Sequence, residues 1–315
     1  MVQYNYDIIP FETRQLSVVF PKSAPQQFTV GPSAKTRMHD ECVVSGVNSL
    51  SGDQMLDASD SRLLTNHIAV SVVVPAFNEE SRLGSTLKQL VAYMDSRQTG
   101  YEILVVNDGS TDKTVEVANQ IASQRSEVKL LGYEGNHGKG YAVRFGILRA
   151  VGDYVLFCDA DMATPIEEME KLAAALNSGA DIAIGSRDMR GSQLDRRQSV
   201  IREIGGKLFN RVVRLLTVPG IHDTQCGFKM FRRSVAHAVF ANCQVDNFAF
   251  DVEALFLATK IMGLHVAEVP VRWAHQEGSK VRFLRDGTRM LLAVWQIRTT
   301  RYKPGSESKL ELRSR

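Results

Sequence analysis

Four short apolar runs constrain this chain more than any other feature. "IAVSVVVPAFNEE", "YEILVVNDGS", "YVLFCDAD" and "DIAIGSRD" are rich in β-branched residues, and each ends in polar or glycine residues. They read as buried parallel strands. Alternating with them are the helical patterns "SRLGSTLKQLVAYMDS", "DKTVEVANQIASQ", "GKGYAVRFGILRAV" and "PIEEMEKLAAALNSG", the last with Pro in its first turn, Glu behind it and Gly at its end. Such alternation specifies a doubly wound α/β sheet. Ligands of these sheets bind beyond the carboxyl ends of the strands, so the four polar strand ends face one crevice. "VAEVPVRWAH", residues 266–275, reads as a later strand, and about residues 280–303 as a C-terminal helix.

Composition bounds what that sheet can serve. The chain has 315 residues, is 44% hydrophobic and carries a formal net charge of +3, too small for the basic footprint of a nucleic-acid-binding protein. Its four cysteines, Cys42, Cys158, Cys226 and Cys243, include no C-x-x-C pair and no zinc-ligand spacing, so a reducing compartment is the default. No apolar run reaches the roughly 18 residues of a membrane-spanning helix, and no signal-peptide pattern opens the chain. Residues 1–66 mix Ser, Gln, Asp and Gly without a sustained period, and read as a disordered, mildly acidic extension.

The strand ends suggest a cargo. Asp159 and Asp161 finish one strand, one residue apart. Asp also caps helices and ends strands, but two such carboxylates supply hard oxygen ligands for Mg²⁺ or Mn²⁺, cations that favour substrate phosphates as further ligands. In "VNDGSTDKT" a tight turn leads to a capped helix, and Asp108 on that turn can accept hydrogen bonds from a nucleobase or ribose. "EGNHGKG" is not a P-loop: five residues separate Gly132 from Gly138, and Gly140 stands where Ser or Thr is needed, although Lys139 can still meet a phosphate. A dinucleotide fingerprint is missing too, because "PAFNEE" follows the first strand in place of G-x-G-x-x-G. Pro75, Phe77 and Glu79 suit a nucleoside instead.

In order along the chain, "VVVPAFNEE", "VVNDGSTDKT", "NHGKGYAVRFGI", "FCDADMATP", "AIGSR", "DTQCGFKMF", "FAFDVE" and "EVPVRW" resemble the inverting family 2 glycosyltransferases of the GT-A fold, and within them the polyprenyl-phosphate sugar transferases. The resemblance covers about residues 69–300. It implies a single catalytic GT-A domain over residues 67–275, with a mostly parallel, Rossmann-like sheet flanked by helices. It further implies an enzyme that moves a sugar, glucose from UDP-glucose foremost, onto a polyprenyl or dolichyl phosphate. Residue by residue, it puts Pro75, Phe77, Glu79, Asp108 and Lys139 at the nucleotide and gives Asp159 and Asp161 the divalent metal. Arg187 and Arg202 would face the donor diphosphate and the acceptor phosphate, with Gln225 and Lys229 on the acceptor side. Ala163 stands where mannosyl-transferring relatives commonly carry Gln, which weakens a mannose reading.

An acceptor phosphate is already anionic, so its attack needs no strong base, and His137 and His222 read as loop or capping residues. Asp251 and Glu253 fit either a helix start or the site. Residues 280–315 hold ten basic and three acidic side chains, and residues 276–315 read as a basic amphipathic helix and tail that either packs on the sheet or lies on a membrane surface. The resemblance implies a place on the cytoplasmic side of a membrane, the ER in a eukaryote or the plasma membrane in a bacterium. Two alternatives stay open: a family 2 enzyme with another donor, such as GDP-mannose or UDP-N-acetylglucosamine, or a soluble acceptor, and a sugar-nucleotide-binding module without catalysis.

Overall fold

The computed structural model describes residues 67–189, 192–196, 217–274 and 292–302. The extension expected over residues 1–66, Arg202 and most of the expected C-terminal helix fall outside these residues.

β1 (Val70–Ala76) is buried along its whole length. Alternate residues serve opposite faces: Val72 and Val74 join the core under α1 (Leu83–Ser96), while Val73 joins the core under α3 (Lys139–Ile147). Two-faced burial explains why the run is continuously apolar and not alternating. β2 (Tyr101–Asn107) and β4 (Tyr154–Cys158) flank β1 in parallel, and β3 (Val128–Gly132) closes that edge beside β2. β3 is half exposed, so its sequence carries little of the apolar signal that marks its neighbours.

Beyond β4 the order continues through β7 (Phe228–Arg232), β5 (Ile182–Ser186) and β8 (Val266–Pro270). β7 runs antiparallel to both β4 and β5, with Phe228 opposite Cys158. This reversal carries the start of β7, and therefore residues 223–227, to the carboxyl ends of the other strands. α2 (Thr114–Ala122) and α4 (Met169–Asn177) share the α1 face, whereas α5 (Arg233–Phe240) and α6 (Phe250–Phe256) share the α3 face. Each fully buried Leu, Val or Phe on these faces contributes roughly 1.5–3 kcal/mol.

The strand expected over residues 266–275 is two strands. β5 ends at Ser186, whose carbonyl accepts the Val271 N–H, so the ladder has no further partner. The chain turns away, and β9 (Arg272–Ala274) pairs with β6 (Gln193–Arg196) in a separate two-stranded sheet. The helix over residues 292–299, α7, buries Ala293, Val294 and Ile297 against Val245, Ala249 and Val252.

Candidate active site

Three loops meet at the carboxyl end of the sheet. After β1 the chain turns through Asn78 in the left-handed region at φ 53°, a conformation that non-glycine residues adopt where surrounding bonds enforce it. Here Asn78 Oδ1 accepts the Thr111 N–H at 2.8 Å and the Asn78 N–H donates to Ser110 Oγ at 3.0 Å, joining the first two strand-end loops. Pro75 is buried within β1, Phe77 is half-buried, and Glu79 accepts Arg82 Nε at 2.8 Å. Arg82, which sequence reasoning passed over, also lies 4.0 Å from Asp161.

Asp108 is hydrogen-bonded to the loop that follows β3. Its carboxylate is buried and accepts the Tyr133 hydroxyl at 2.9 Å, Asn136 Nδ2 at 3.0 Å and the backbone N–H groups of His137 and Gly138 at 2.8 and 3.0 Å. Those donors satisfy the group from within its own chain. Asp108 therefore shapes the 133–138 loop that leads into Lys139. Gly138, at φ 103°, turns this loop close under the Asp246 carbonyl, where a Cβ would sit 2.5 Å from the oxygen.

Asp159 and Asp161 leave β4 together. The Lys139 ammonium lies 2.7 Å from Asp159 Oδ1 and 5.5 and 5.8 Å from the Phe157 and Phe248 ring centres. Burial alone would lower the Lys139 pKa, but Asp159 and Asp251 outweigh it and hold the ammonium above its usual range. Asp161 accepts the Ala163 N–H at 3.1 Å, and Met162 between them takes a left-handed φ of 48°. Burial first and the Asp159 charge second push the Asp161 carboxyl above the ordinary range. Behind them Gly227 accepts the Asp159 N–H at 3.1 Å, and a Cβ on Gly227 would sit 2.0 Å from Asp159 Oδ2. Only glycine allows that approach.

The far wall is built from paired charges. Asp223 receives the Arg187 backbone N–H at 3.0 Å, Nε at 2.7 Å and Nη2 at 2.8 Å, and the Arg187 guanidinium carbon lies 5.5 Å from the Trp273 ring centre. Gln225 is half-buried, and its N–H points to Asp223 at 3.3 Å. Lys229, expected on the acceptor side, is only 2% exposed: its ammonium donates to the Cys226 carbonyl at 2.5 Å and to Asp251 at 2.6 Å. A fully buried cation needs both partners. Lys229 supports the wall, and Asp251 belongs to that support. Glu253 is also buried, accepting the Val245 N–H at 2.8 Å and the Tyr302 hydroxyl at 2.7 Å, which ties the segment after α7 to α6. Asp223, Trp273 and Arg82 escaped sequence reasoning because nothing local marks them, although the first two stand in or beside motifs already quoted.

Residues 71–240 match the family model described as Glycosyl transferase family 2. The chain is a family 2 glycosyltransferase. Among its relatives, a Drosophila melanogaster protein named dolichyl-phosphate beta-glucosyltransferase is 39% identical over 260 residues, 75% of this chain and 79% of that one. The human protein of the same name is 36% identical over 74% of this chain and 79% of its own, and the Saccharomyces cerevisiae one 33% identical over 71% and 72%. In three dimensions the glycosyltransferase is similar to glucosyl-3-phosphoglycerate synthase from Mycobacterium tuberculosis in complex with Mn²⁺, UDP and glucosyl-3-phosphoglycerate, with a TM-score of 0.56, 18% identity and coverage of 79% of this chain and 86% of that one. Mannosyl-3-phosphoglycerate synthase from Rubrobacter xylanophilus gives a TM-score of 0.54 at 23% identity over 76% and 75%. These neighbours establish the GT-A fold.

The carboxylates of this glycosyltransferase fit a divalent cation. They are hard oxygen donors, they leave one strand end together, and burial first and the neighbouring Asp159 charge second raise Asp161, both of which a bound cation would offset. Among the described residues no group of three or more His, Cys, Asp or Glu could hold a metal by itself, and a phosphorylated substrate and water can supply further oxygen ligands.

Proposed function

We propose that this glycosyltransferase moves glucose from UDP-glucose to a dolichyl or other polyprenyl phosphate, inverting the α-linked donor to a β-linked product on the cytoplasmic face of a membrane. The observation that carries the reading is the convergence of Asp159, Asp161 and Lys139 at one strand end in a chain 33–39% identical to proteins named for that reaction. Asp159 and Asp161 would hold Mg²⁺ or Mn²⁺, which when bound stabilises the negative charge of the departing nucleoside diphosphate. Phe77 and Glu79 lie on the nucleotide side, the latter already oriented by Arg82.

Lys139 and Arg187 supply fixed positive charge toward the diphosphate. Both are held by carboxylates before substrate arrives, so little reorganisation is needed as charge develops. Arg202 and Gln225 take the acceptor phosphate; the guanidinium suits that role because it is planar and permanently charged. No general base is required, in keeping with His137 being stacked on Tyr141 and His222 being paired with Glu268. The reading also needs a lipid surface. Leu292 and Trp295 of α7 are 68% and 69% exposed beside exposed Arg298 and Arg301, in a stretch, residues 280–315, with a local net charge of +7. That combination suits a peripheral contact with anionic lipid.

The test is nucleoside diphosphate release from UDP-glucose, GDP-mannose and UDP-N-acetylglucosamine, with Mg²⁺ or Mn²⁺, with and without a short polyprenyl phosphate. Lipid-dependent release from UDP-glucose is expected. Release from a different donor would overturn the sugar, and release indifferent to lipid would overturn the acceptor.

A further inference from the structure

Arg187 is held by a chain of support that runs through Asp223 to Glu268. Glu268 stands in β8, in register with Ile184 of β5, and its side chain is 10% exposed. It accepts the backbone N–H of His222 at 2.8 Å and that of Asp223 at 2.7 Å, and His222 Nδ1 lies 2.8 Å from the same carboxylate. One nearly buried carboxylate thus fixes the turn that presents Asp223. Asp223 in turn holds Arg187 at its backbone N–H, Nε and Nη2, and Trp273, five residues beyond Glu268, sets its ring 5.5 Å from the guanidinium.

A purely stabilising role does not explain this arrangement well. Taking paired charges out of water costs about as much as their attraction returns, so a buried ion pair is weak evidence for stability. It does fix direction: a bidentate carboxylate removes the rotational freedom of a side chain that otherwise has several rotatable bonds. Trp273, whose ring lies beside the Arg187 guanidinium, lines one cleft together with Asp159.

We infer that Glu268 is a positioning residue of this enzyme, acting through the 222–223 turn and Asp223 to aim Arg187 at the donor diphosphate. The inference rests on the reading of Arg187 given above. The backbone donors, not the imidazole, transmit the effect, because they attach Glu268 directly to the segment carrying Asp223. Glu268 touches no substrate; its replacement leaves the charge of Arg187 intact and loosens its aim.

The test is a double-mutant cycle on the full chain, read as kcat/KM for UDP-glucose with short polyprenyl phosphate, with thermal unfolding as the check of folding. Glu268→Gln is expected to lower kcat/KM by roughly 10- to 100-fold, the range seen when support of a catalytic group is lost. In an Arg187→Ala background the same substitution is expected to add less than about 2-fold, since residues acting as one unit are not additive. Losses that multiply would overturn the link between Glu268 and Arg187. Wild-type kcat/KM in Arg187→Ala alone would overturn the premise about Arg187, a different and recognisable failure. If Glu268→Gln does not fold, Asp223→Asn, which keeps both backbone bonds to Glu268, is expected to show the same non-additivity with Arg187→Ala, and additivity there would sink the inference. His222→Asn is expected to stay within about 2-fold of wild type, and a loss as large as that of Glu268→Gln would show that the imidazole, not the turn, is the lever.

Discussion

On the β1 to β4 side of the crevice the carboxylates Asp159 and Asp161 are partly open, with side chains 31% and 27% exposed, whereas on the β5 to β8 side Asp223, Lys229 and Asp251 are nearly sealed and matched to one another. Both walls are charged, but they use charge differently. Open carboxylates at a strand end keep lone pairs for a ligand. Sealed pairs spend theirs on their own chain, and what they gain is a fixed backbone around Gly227 and Arg187. The difference teaches that a charged residue in a functional motif is a binding group only where water can also reach it.

Substitutions can break this contrast. The largest effect is expected on the open wall: Asp161→Asn should lower turnover by about 1000-fold, the scale of losing a principal electrostatic stabiliser, while the melting temperature stays close to wild type. Near-normal turnover would remove the carboxylate pair from the mechanism. On the sealed wall the damage should appear in stability. Lys229→Met leaves Asp251 buried without its cation and is expected to cost about 3–5 kcal/mol in denaturant unfolding, with much of the loss recovered in Lys229→Met/Asp251→Leu. If the single variant is as stable as wild type but inactive, Lys229 binds ligand after all.

Gly227→Ala sharpens the comparison because it touches both walls. The added Cβ displaces the Asp159 carboxylate from behind, so a loss of about 100-fold in kcat/KM is expected with only a modest change in unfolding midpoint. Retained activity would mean that the position of Asp159 is not critical. The smallest effect should come from a sealed carboxylate far from the crevice. Burial would raise the Glu102 pKa, but Ser71, the Val151 N–H and Lys129 outweigh it and hold the group below its ordinary value of 4.5. The unfolded chain therefore takes up that proton first as pH falls. Its stabilisation is complete above about pH 4.5 and is lost progressively below it, so Glu102→Gln should cost about 1–3 kcal/mol at neutral pH and flatten the acid limb of the stability curve. An unchanged acid limb would contradict the assignment.

Sequence alone determined the wound sheet, its crevice and the paired carboxylates. β1, β2, β4 and β5 were legible because burial on both faces writes a continuous apolar run, and the polar residues after each run are local to it. Pro165 before the helical turns and Gly179 after α4 marked boundaries for the same reason. β3 was missed because an edge strand with one wet face loses that signature, and β7 because nothing in "GFKMFR" says that it inserts antiparallel between β4 and β5.

Tertiary structure decided which charges are open and which are sealed. Asp108 and Lys229 read as binding groups in their motifs, yet the donors around Asp108 lie 25–30 residues away, and the Lys229 partner Asp251 lies 22 away. Glu268 and Asp223 are 45 residues apart, and Asp223 and Arg187 are 36 apart. Strand and helix periods are local and survive in the linear text; the desolvation that makes a charge either a ligand site or a brace depends on what the rest of the chain packs over it.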